Sequence, residues 1–587
     1  MRLFKPYLVL QSLLLFVLGN VNPLAAQHEP VGIQEDFYVN AQLPWHKAVL
    51  DSQDKVLAWY HPEKNLGYDQ FLRLDWDFLE HKVPTEGNTG LKVYLISSIY
   101  DPETLQGIRS KADVQHNPAS LYAHLVDTLV RWYPYAGDEE AIQVVRRMLD
   151  YQLAHGTTPV DWDWPNVPFA TSCDDDLEYG RCLRDVPTDF YGGIESDKVG
   201  ELGLAYVLVY ELTGVRKYLE AGIHCAEALA NHLPTLQAVG PEYPWTKRYM
   251  HAGDATHTPW AYRIDARTGE VIDGEIFGGM VVASVRLFDE LVRLGEGSTE
   301  KYRQARDMAW RWILENPLNT SSPAWDRWTG YYEDVPKDPE NVNDMSSIMT
   351  AYYILSHDDP STVDPQWLTH VGYLLDRSRS LLGRGPYYGA WGIDEQERPL
   401  DNIPFTSGKG CCSRAGLSCR TSAWGAVNAM YYAKTGDGTA WENAYRSLNY
   451  ATYFASSDGK IACCGLGASS NLYWFEDGYA DAGRSFTWAM GAVPEFAPMG
   501  QDHLLFSSWV VQKVTYGNHK IAYRTFGKDG TEVLRLSFRP AHVTAGGAAL
   551  PERRDLQAPG YQVQPLAGGD FIVHVRHTGS NDVAISE

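Results

Sequence analysis

The hydrophobic pattern alternates between two kinds of helix. Residues 199–212 (VGELGLAYVLVYEL) are apolar on almost every side, and only Glu201 and Glu211 interrupt them. A helix of this kind is buried all round. Residues 216–233 instead carry their large apolar side chains on one stripe, with charged residues elsewhere. That second pattern is typical of a helix that buries one face only, so the two segments predict a hairpin of one inner and one outer helix.

The same alternation recurs along the chain and predicts a closed arrangement. The hairpins start roughly 65–80 residues apart, a longer spacing than ordinary solenoid repeats have. We therefore predict a mainly α fold, an (α/α)-hairpin toroid of about six hairpins, with an open superhelix as the alternative. The other predicted pairs are 121–132 with 139–153, 281–294 with 301–314, 348–355 with 367–382, and 423–433 with 441–454, and half-hairpins are predicted around 66–79 and 485–493.

The pattern changes to a period of two near residue 505. Residues 533–538 and 571–575 alternate between apolar and polar positions, and glycine-rich turns separate such segments. This alternation predicts a small antiparallel β domain after the toroid. The predicted organisation is a signal peptide at 1–26, a toroidal catalytic domain at 27–500 and a β-sandwich-like domain at 501–587.

The lengths of the connections predict where a functional site lies. Links from an inner to an outer helix are short, whereas links from an outer helix to the next inner helix are long. In antiparallel hairpins, all links of the second kind lie at one end of the ring. Long loops in compact domains are usually functional, so we expect the site at that rim. These long links span residues 157–197, 234–276, 317–345, 384–421 and 456–484.

The N-terminal sequence indicates where the protein is located, and the overall charge argues against some classes of partner. Arg2 and Lys5 precede an apolar stretch at 8–18 and a small-residue end at 24–26, which is typical of a secretory signal peptide; a retained membrane anchor is the alternative. We expect a secreted or periplasmic protein with no later membrane span. With 74 acidic and 50 basic residues, the chain has a formal net charge of −24. That balance argues against a nucleic-acid partner and a polybasic membrane anchor.

The cysteines predict one disulfide bond, and the sequence contains none of the common cofactor or zinc motifs. Cys173 and Cys182 flank an acidic loop and are the best candidates for a disulfide bond in an exported chain. No P-loop and no H-E-x-x-H motif occurs, and the remaining cysteines lack a C-x-x-C spacing. We therefore predict no cofactor and no metal.

Three short segments resemble motifs of known enzymes. A ring of helical hairpins with a C-terminal β domain resembles the six-hairpin glycosidases. Within it, 195–201 (ESDKVGE), 258–263 (TPWAYR) and 332–336 (YEDVP) resemble motifs of bacterial members that act on uronic-acid glycans. The nearest family by this resemblance is glycoside hydrolase family 154, whose known members are β-glucuronidases. The resemblance implies a hydrolase whose partner is a uronic-acid-containing oligosaccharide or polysaccharide; the oligomeric state stays open.

Candidate catalytic groups come from the chemistry of glycoside hydrolysis, which needs one protonated and one ionised carboxyl group. We expect Glu195 or Asp197 from one rim loop to act with Glu333 or Asp334 from another. Glu333 and Asp334 follow a dense run of Trp and Tyr, which can stack on sugars and raise a carboxyl pKa. The alternatives are a helix N-cap for Asp197 and a solvated turn for Glu333 and Asp334.

Cationic residues at the same rim suggest an anionic substrate. A guanidinium binds a carboxylate through two hydrogen bonds, and we favour Arg263 or Arg420 for the carboxylate of a uronate. For each arginine, ion pairing with loop acids is the alternative. The predicted substrate-binding set is Tyr191, Lys198, Arg248, His257, Trp260, Arg263, Asn343 and Arg420.

Two other functions compete with hydrolysis. A polysaccharide lyase would remove the proton beside the uronate carboxylate with Tyr249 or His251 as the base, while an Asn or Arg neutralises that carboxylate. A secreted glycan-binding protein without activity would use the same aromatic residues.

Overall fold

The computed structural model describes residues 99–100, 118–169, 192–233, 259–261, 263–273, 281–326, 328, 345–387, 389–394, 418–451, 473–474 and 476–587. This part of the chain contains eleven α-helices and a set of short and long strands. The helices are α1 (Pro118–Ala136), α2 (Glu140–His155), α3 (Ser196–Thr213), α4 (Arg216–Asn231), α5 (Val281–Leu294), α6 (Thr299–Glu315), α7 (Met345–Leu355), α8 (Trp367–Leu382), α9 (Ser418–Thr435), α10 (Gly438–Ala451) and α11 (Glu476–Ala492).

Six of these helices form a closed inner ring. Each of α1, α3, α5, α7, α9 and α11 packs on the next, and α11 packs on α1. The outer helices α2, α4, α6, α8 and α10 each pack on the inner helix that precedes them. The (α/α) toroid predicted from the sequence is confirmed, and the open superhelix is wrong. The half-hairpin predicted around 485–493 belongs to α11, whereas that around 66–79 lies outside the described residues.

Inner and outer helices differ in burial as their sequences predict. In α3, fourteen residues are buried on all sides of the helix, because it touches α1, α4 and α5 at once. The next helix, α4, buries one stripe that includes Leu219, Cys225 and Leu229. The turn between them is tight: Gly214 has a left-handed φ of 71° and its N–H caps the carbonyl of Tyr210, a conformation that glycine adopts without strain.

All six inner helices begin at the same end of the ring. Each outer helix returns the chain antiparallel to its inner partner, so the inner helices run parallel to one another. The connections at this N-terminal end contain short strands. They are β1 (Ile99–Tyr100) with β7 (Tyr473–Trp474), β2 (Gly193–Glu195) with β3 (Arg263–Asp265) and β4 (Glu270–Asp273), and β5 (Gly383–Tyr387) with β6 (Ala390–Ile393).

The C-terminal region consists of two antiparallel sheets, as the period-two alternation predicts. The strands are β8 (His503–Ser507), β9 (Val511–Gly517), β10 (Lys520–Thr525), β11 (Gly530–Leu536), β12 (His542–Ala545), β13 (Ala548–Ala549), β14 (Gly560–Pro565), β15 (Phe571–His577) and β16 (Asp582–Ser586). The five-stranded sheet has the order β13-β12-β16-β10-β9, and the four-stranded sheet has the order β14-β15-β11-β8. Tyr523 of β10 donates a hydrogen bond to Glu532 of β11 at 3.1 Å, which joins the two sheets.

These sheets cover the end of the ring at which the inner helices finish. His503 stacks on Tyr135 with ring centroids 3.9 Å apart, and its Nδ1 lies 2.9 Å from the Tyr135 carbonyl oxygen. Gln512 donates a hydrogen bond of 2.7 Å to the carbonyl of Glu211 near the end of α3. The sheets therefore lie opposite the N-terminal end of the ring. Among the described helices, none has the length and apolar composition to cross a membrane.

The contact between α3 and α5 gives a first test of the ring. A Cβ added to Gly200 would meet the backbone N and Cα of Ser284 at 2.7 and 2.9 Å, and backbone atoms cannot rotate away. We expect Gly200→Ala to lower the free energy of unfolding by about 1–3 kcal/mol through overpacking, measured by urea denaturation.

Gly372 in the outer helix α8 supplies the matched control. Its added Cβ would have Tyr431 Oη at 4.0 Å as its nearest neighbour, and alanine is the better helix former by up to about 1 kcal/mol. Gly372→Ala should leave stability unchanged or raise it. Equal destabilisation by both substitutions would contradict the close approach of α3 and α5.

Candidate active site

An open cavity lies inside the inner ring. Its walls come from α1, α3, α5, α7 and α11, and they combine apolar side chains with several charged ones. We call it the central cavity, and its polar or flexible lining includes His124, Asp127, Glu201, Arg286, Met349 and Arg484.

Asp197 lies in the first turn of α3, one helical turn nearer the N-terminal end than Glu201. Its side chain is buried, and its Oδ2 lies 3.1 Å from Nζ of Lys198. Among the described residues, none other than Lys198 donates to either carboxyl oxygen. Burial raises the pKa of Asp197, and the nearby Glu201 raises it further, while Lys198 partly opposes the shift. The pKa of Asp197 is therefore raised above that of an exposed aspartate, although it forms an ion pair with Lys198.

Glu201 is the second carboxyl group, and its pKa is shifted in the opposite direction. Its Oε2 accepts a hydrogen bond from Ser120 at 3.2 Å and lies 4.0 Å from Nζ of Lys198. Its Oε1 lies 3.8 Å from Nε2 of His124. Burial works against ionisation here, but Lys198 and His124 outweigh it and lower the pKa of Glu201 to about 2. Lys198 thus contacts two carboxyl groups, the pKa of Asp197 being raised and that of Glu201 lowered.

The wall deeper in the ring carries a cluster of guanidinium groups. Arg131 donates hydrogen bonds to Asp127 at 3.2 Å and to Tyr352 Oη at 3.0 Å. Arg286 and Arg484 each lie 3.6 Å from an oxygen of the same aspartate. Although burial would raise the pKa of Asp127, these three arginines hold it well below its usual range. Asp127 is therefore ionised, and three cations surround it.

An aromatic pair supports these arginines. Tyr352 of α7 and Trp488 of α11 stack with their ring centroids 3.8 Å apart. Arg286 lies 5.2 Å from the centre of the tyrosine ring, and Arg131 and Arg484 lie 5.5 and 5.3 Å from that of the tryptophan. Cation–π contacts of this kind orient a guanidinium without using its hydrogen-bond donors.

The structure brings two of the predicted rim segments together. Glu195, the last residue of β2, is the register partner of Arg263 in β3, and Ser196 donates a hydrogen bond to the carbonyl of Ala261 at 2.8 Å. The 260–263 segment therefore lies beside the start of α3, where Asp197 is. The predicted N-cap role of Asp197 is wrong, because α3 begins one residue earlier and the Asp197 oxygens accept no capping hydrogen bond.

Other predicted residues are placed differently from their predicted roles. The Trp260 indole is buried against Phe288 and its Nε1 donates a hydrogen bond to the Leu229 carbonyl at 2.9 Å, a packing role that differs from sugar stacking. Lys198 contacts Asp197 and Glu201, and Arg420 is buried in the first turn of α9. The side chain of Arg263 lies outside the described part, as do Cys173, Cys182, Tyr191, Arg248, Tyr249, His251, His257, Glu333, Asp334 and Asn343.

Sequence reasoning missed the polar residues inside the ring. Glu201 counted only as an interruption of an apolar helix, and His124, Asp127, Arg286 and Arg484 were not singled out. The available signal was the spacing of polar residues on the first inner helix, where Ser120, His124, Asp127 and Arg131 follow each other at intervals of three or four. Such a polar stripe on a helix that is otherwise buried indicates a polar lumen.

Comparisons with known proteins give similarity in overall arrangement only. No family model matches the chain, and no curated protein matches it. Solved structures similar to it include a D-mannose isomerase (10% identity, TM-score 0.48, 73% of this chain and 96% of that one). They also include a sugar epimerase from a ruminal bacterium (8% identity, TM-score 0.47, 73% of this chain and 99% of that one). A third is an unsaturated glucuronyl hydrolase specific for heparin (9% identity, TM-score 0.42, 72% of this chain and 98% of that one). Identities and TM-scores this low transfer no activity to the chain.

Proposed function

We propose that the protein is a glycoside hydrolase that acts on a uronic-acid-containing glycan, with Asp197 as the general acid. The buried carboxyl group of Asp197, whose pKa is raised, beside Glu201, whose pKa is lowered, supports this proposal most strongly. A pair of carboxyl groups whose surroundings move their pKa values apart suits acid–base work on a single bond. Export through the signal peptide at 1–26 is part of the same proposal.

In the proposed reaction, the carboxyl group of Asp197 gives its proton to the glycosidic oxygen as the bond from that oxygen to the anomeric carbon breaks. Water supplies the hydroxyl group for the anomeric carbon, and its second proton restores the acid at the end of the cycle. Glu201, held ionised by Lys198 and His124, supplies the second carboxylate that hydrolysis requires. It takes the part that we predicted for Glu333 or Asp334.

Product masses separate the possible reactions. The purified protein should be incubated with oligosaccharides that end in a uronate and with matched neutral oligosaccharides, and the products weighed by mass spectrometry. We expect each cleavage to add one water to the products. Elimination would give fragments without that water, and epimerisation would leave the mass unchanged. Either of those outcomes, or no reaction with any uronate, would overturn the proposal.

Removing the Lys198 charge should move the pH profile of the reaction. Lys198 lowers the pKa of both Asp197 and Glu201, so Lys198→Met raises both values. Because the reaction needs Asp197 protonated and Glu201 ionised, both limbs of kcat against pH should shift to higher pH. The control is Lys217→Met on α4, where the lysine pairs with Asp150 at the surface. A profile that stays in place in the Lys198 variant would contradict these roles.

A further inference from the structure

The side chain of Glu201 on α3 is held from the first inner helix, α1. Its Oε2 accepts a hydrogen bond from Ser120 at 3.2 Å, and its Oε1 lies 3.8 Å from Nε2 of His124. Ser120 precedes His124 by four residues, so the two side chains lie on the same face of α1, one turn apart. Because each carboxyl oxygen has its own contact on α1, the carboxylate is restrained from rotating.

This restraint acts on the more accessible carboxylate of the central cavity. Within the described part of the chain, the cavity lining contains two carboxylates, those of Asp127 and Glu201. Asp127 is buried among three arginines. The side chain of Glu201 is 18% exposed, whereas Ser120 and His124, which contact it, are buried. A molecule that enters the cavity therefore meets Glu201 in an orientation that α1 determines.

Charged groups surround Glu201 from four inner helices, and they do not act alike. Burial opposes the ionisation of Glu201, while Lys198, His124 and Arg484 lower its pKa. The pKa of Asp197 is shifted by burial, Lys198 and Glu201. Lys198 therefore acts on both carboxyl groups, and His124 acts on Glu201. The charged or titratable groups that the structure describes around Glu201 are Asp197 and Lys198 on α3, His124 and Asp127 on α1, Arg286 on α5 and Arg484 on α11.

We propose that Ser120 and His124 are positioning residues, which hold the Glu201 carboxylate in one orientation at the wall of the central cavity. The part that this carboxylate plays in hydrolysis rests on the proposed function, whereas its restraint by α1 does not. A carboxylate that reacts from a fixed orientation needs no reorganisation during the reaction. Ser120 supplies a neutral hydrogen bond and His124 an imidazole that can carry a charge, so substitutions separate orientation from charge.

A double-mutant cycle tests the restraint without any turnover. Urea denaturation should compare the wild type, His124→Gln, Glu201→Gln and the double variant at pH 5.5, where a histidine is ordinarily protonated and a glutamate ordinarily ionised. We expect Glu201→Gln to lose less stability in the His124→Gln background than in the wild type. His224, exposed on the outer helix α4, supplies the control: in His224→Gln the loss should equal that in the wild type. Equal losses in all three backgrounds would overturn the role of His124.

Kinetics on a cleaved uronate oligosaccharide separate the two residues. Ser120→Ala removes a hydrogen bond and no charge, so kcat should fall about tenfold while KM and the pH profile stay in place. His124→Gln should move the acid limb of kcat to higher pH by about one unit or more and leave the alkaline limb, which Asp197 sets, unchanged. Lys198→Met, by contrast, shifts both limbs.

The outcomes distinguish the restraint from the reaction. An unchanged kcat in Ser120→Ala, or an acid limb that stays in place in His124→Gln, would overturn the positioning roles even if the wild type cleaves uronate glycans. Coupling in the cycle of a protein that cleaves no uronate glycan would keep the restraint on Glu201 and reject the proposed hydrolase. Ser120→Ala removes a single hydroxyl group, so it tests the restraint even if His124→Gln does not fold.

Discussion

Asp197→Asn should reduce kcat by about a thousandfold or more and leave the fold at least as stable as in the wild type. The amide cannot donate the proton that a general acid supplies, an effect typically worth 10²–10⁴-fold. Because burial raises the pKa of Asp197 in the folded protein, its ionised form opposes folding. The carboxyl group therefore favours the fold at low pH, and this contribution is lost as pH rises through the raised folded pKa. The neutral amide lacks that cost.

The measurement combines steady-state kinetics with thermal unfolding at neutral pH. Asp307→Asn is the matched control, since Asp307 is exposed on α6 and pairs only with Arg306 among the residues described. The control should keep both activity and stability. Wild-type turnover in Asp197→Asn would remove the general acid from the mechanism, and a large drop in its melting temperature would make Asp197 a structural residue instead.

The fold could be predicted because the faces that a helix buries determine the spacing of its apolar residues along the sequence. Residues 199–212 and 216–233 differ in how many of their faces are apolar, and the structure places them as inner and outer helices of one hairpin. The start of α3 was missed by three residues, because Ser196, Asp197 and Lys198 are polar. All three are buried, since polar groups in the first turn of an inner helix face one another and the neighbouring chain instead of water.

The candidate site could be predicted only in part. The local hydrophobic pattern predicts helices, but it does not predict which residues of distant helices become neighbours when the ring closes. The long connections predict a site at the N-terminal end of the ring, and the structure places Asp197 at that end, beside the strand that contains Arg263. The charged lining of the cavity lies deeper, on the helices themselves. His124, Glu201 and Arg484 come from three distant segments, and their proximity follows from the packing of α1, α3 and α11, which no spacing in the sequence encodes.

Glu201→Gln should also abolish turnover, but with the opposite effect on stability. The glutamine keeps the size of the side chain and can still accept the hydrogen bond from Ser120, yet it loses the charge that Lys198 and His124 stabilise. Because the folded pKa of Glu201 is about 2, against an ordinary value of 4.5, the ionised group favours the fold at neutral pH. The loss on substitution should be on the order of 2–3 kcal/mol.

The pH dependence of that loss distinguishes a charge effect from a packing effect. The contribution of Glu201 is fully present above the ordinary carboxyl pKa and disappears as pH falls through the lowered folded value. Urea denaturation of the wild type and of Glu201→Gln should therefore show a gap at pH 7 that narrows between pH 4.5 and pH 3. A gap that stays constant over this interval would mean that the variant is merely badly packed. Opposite stability changes in the Asp197 and Glu201 variants, each with turnover lost, require the two carboxyl groups to differ in protonation, which is the property that acid–base hydrolysis needs.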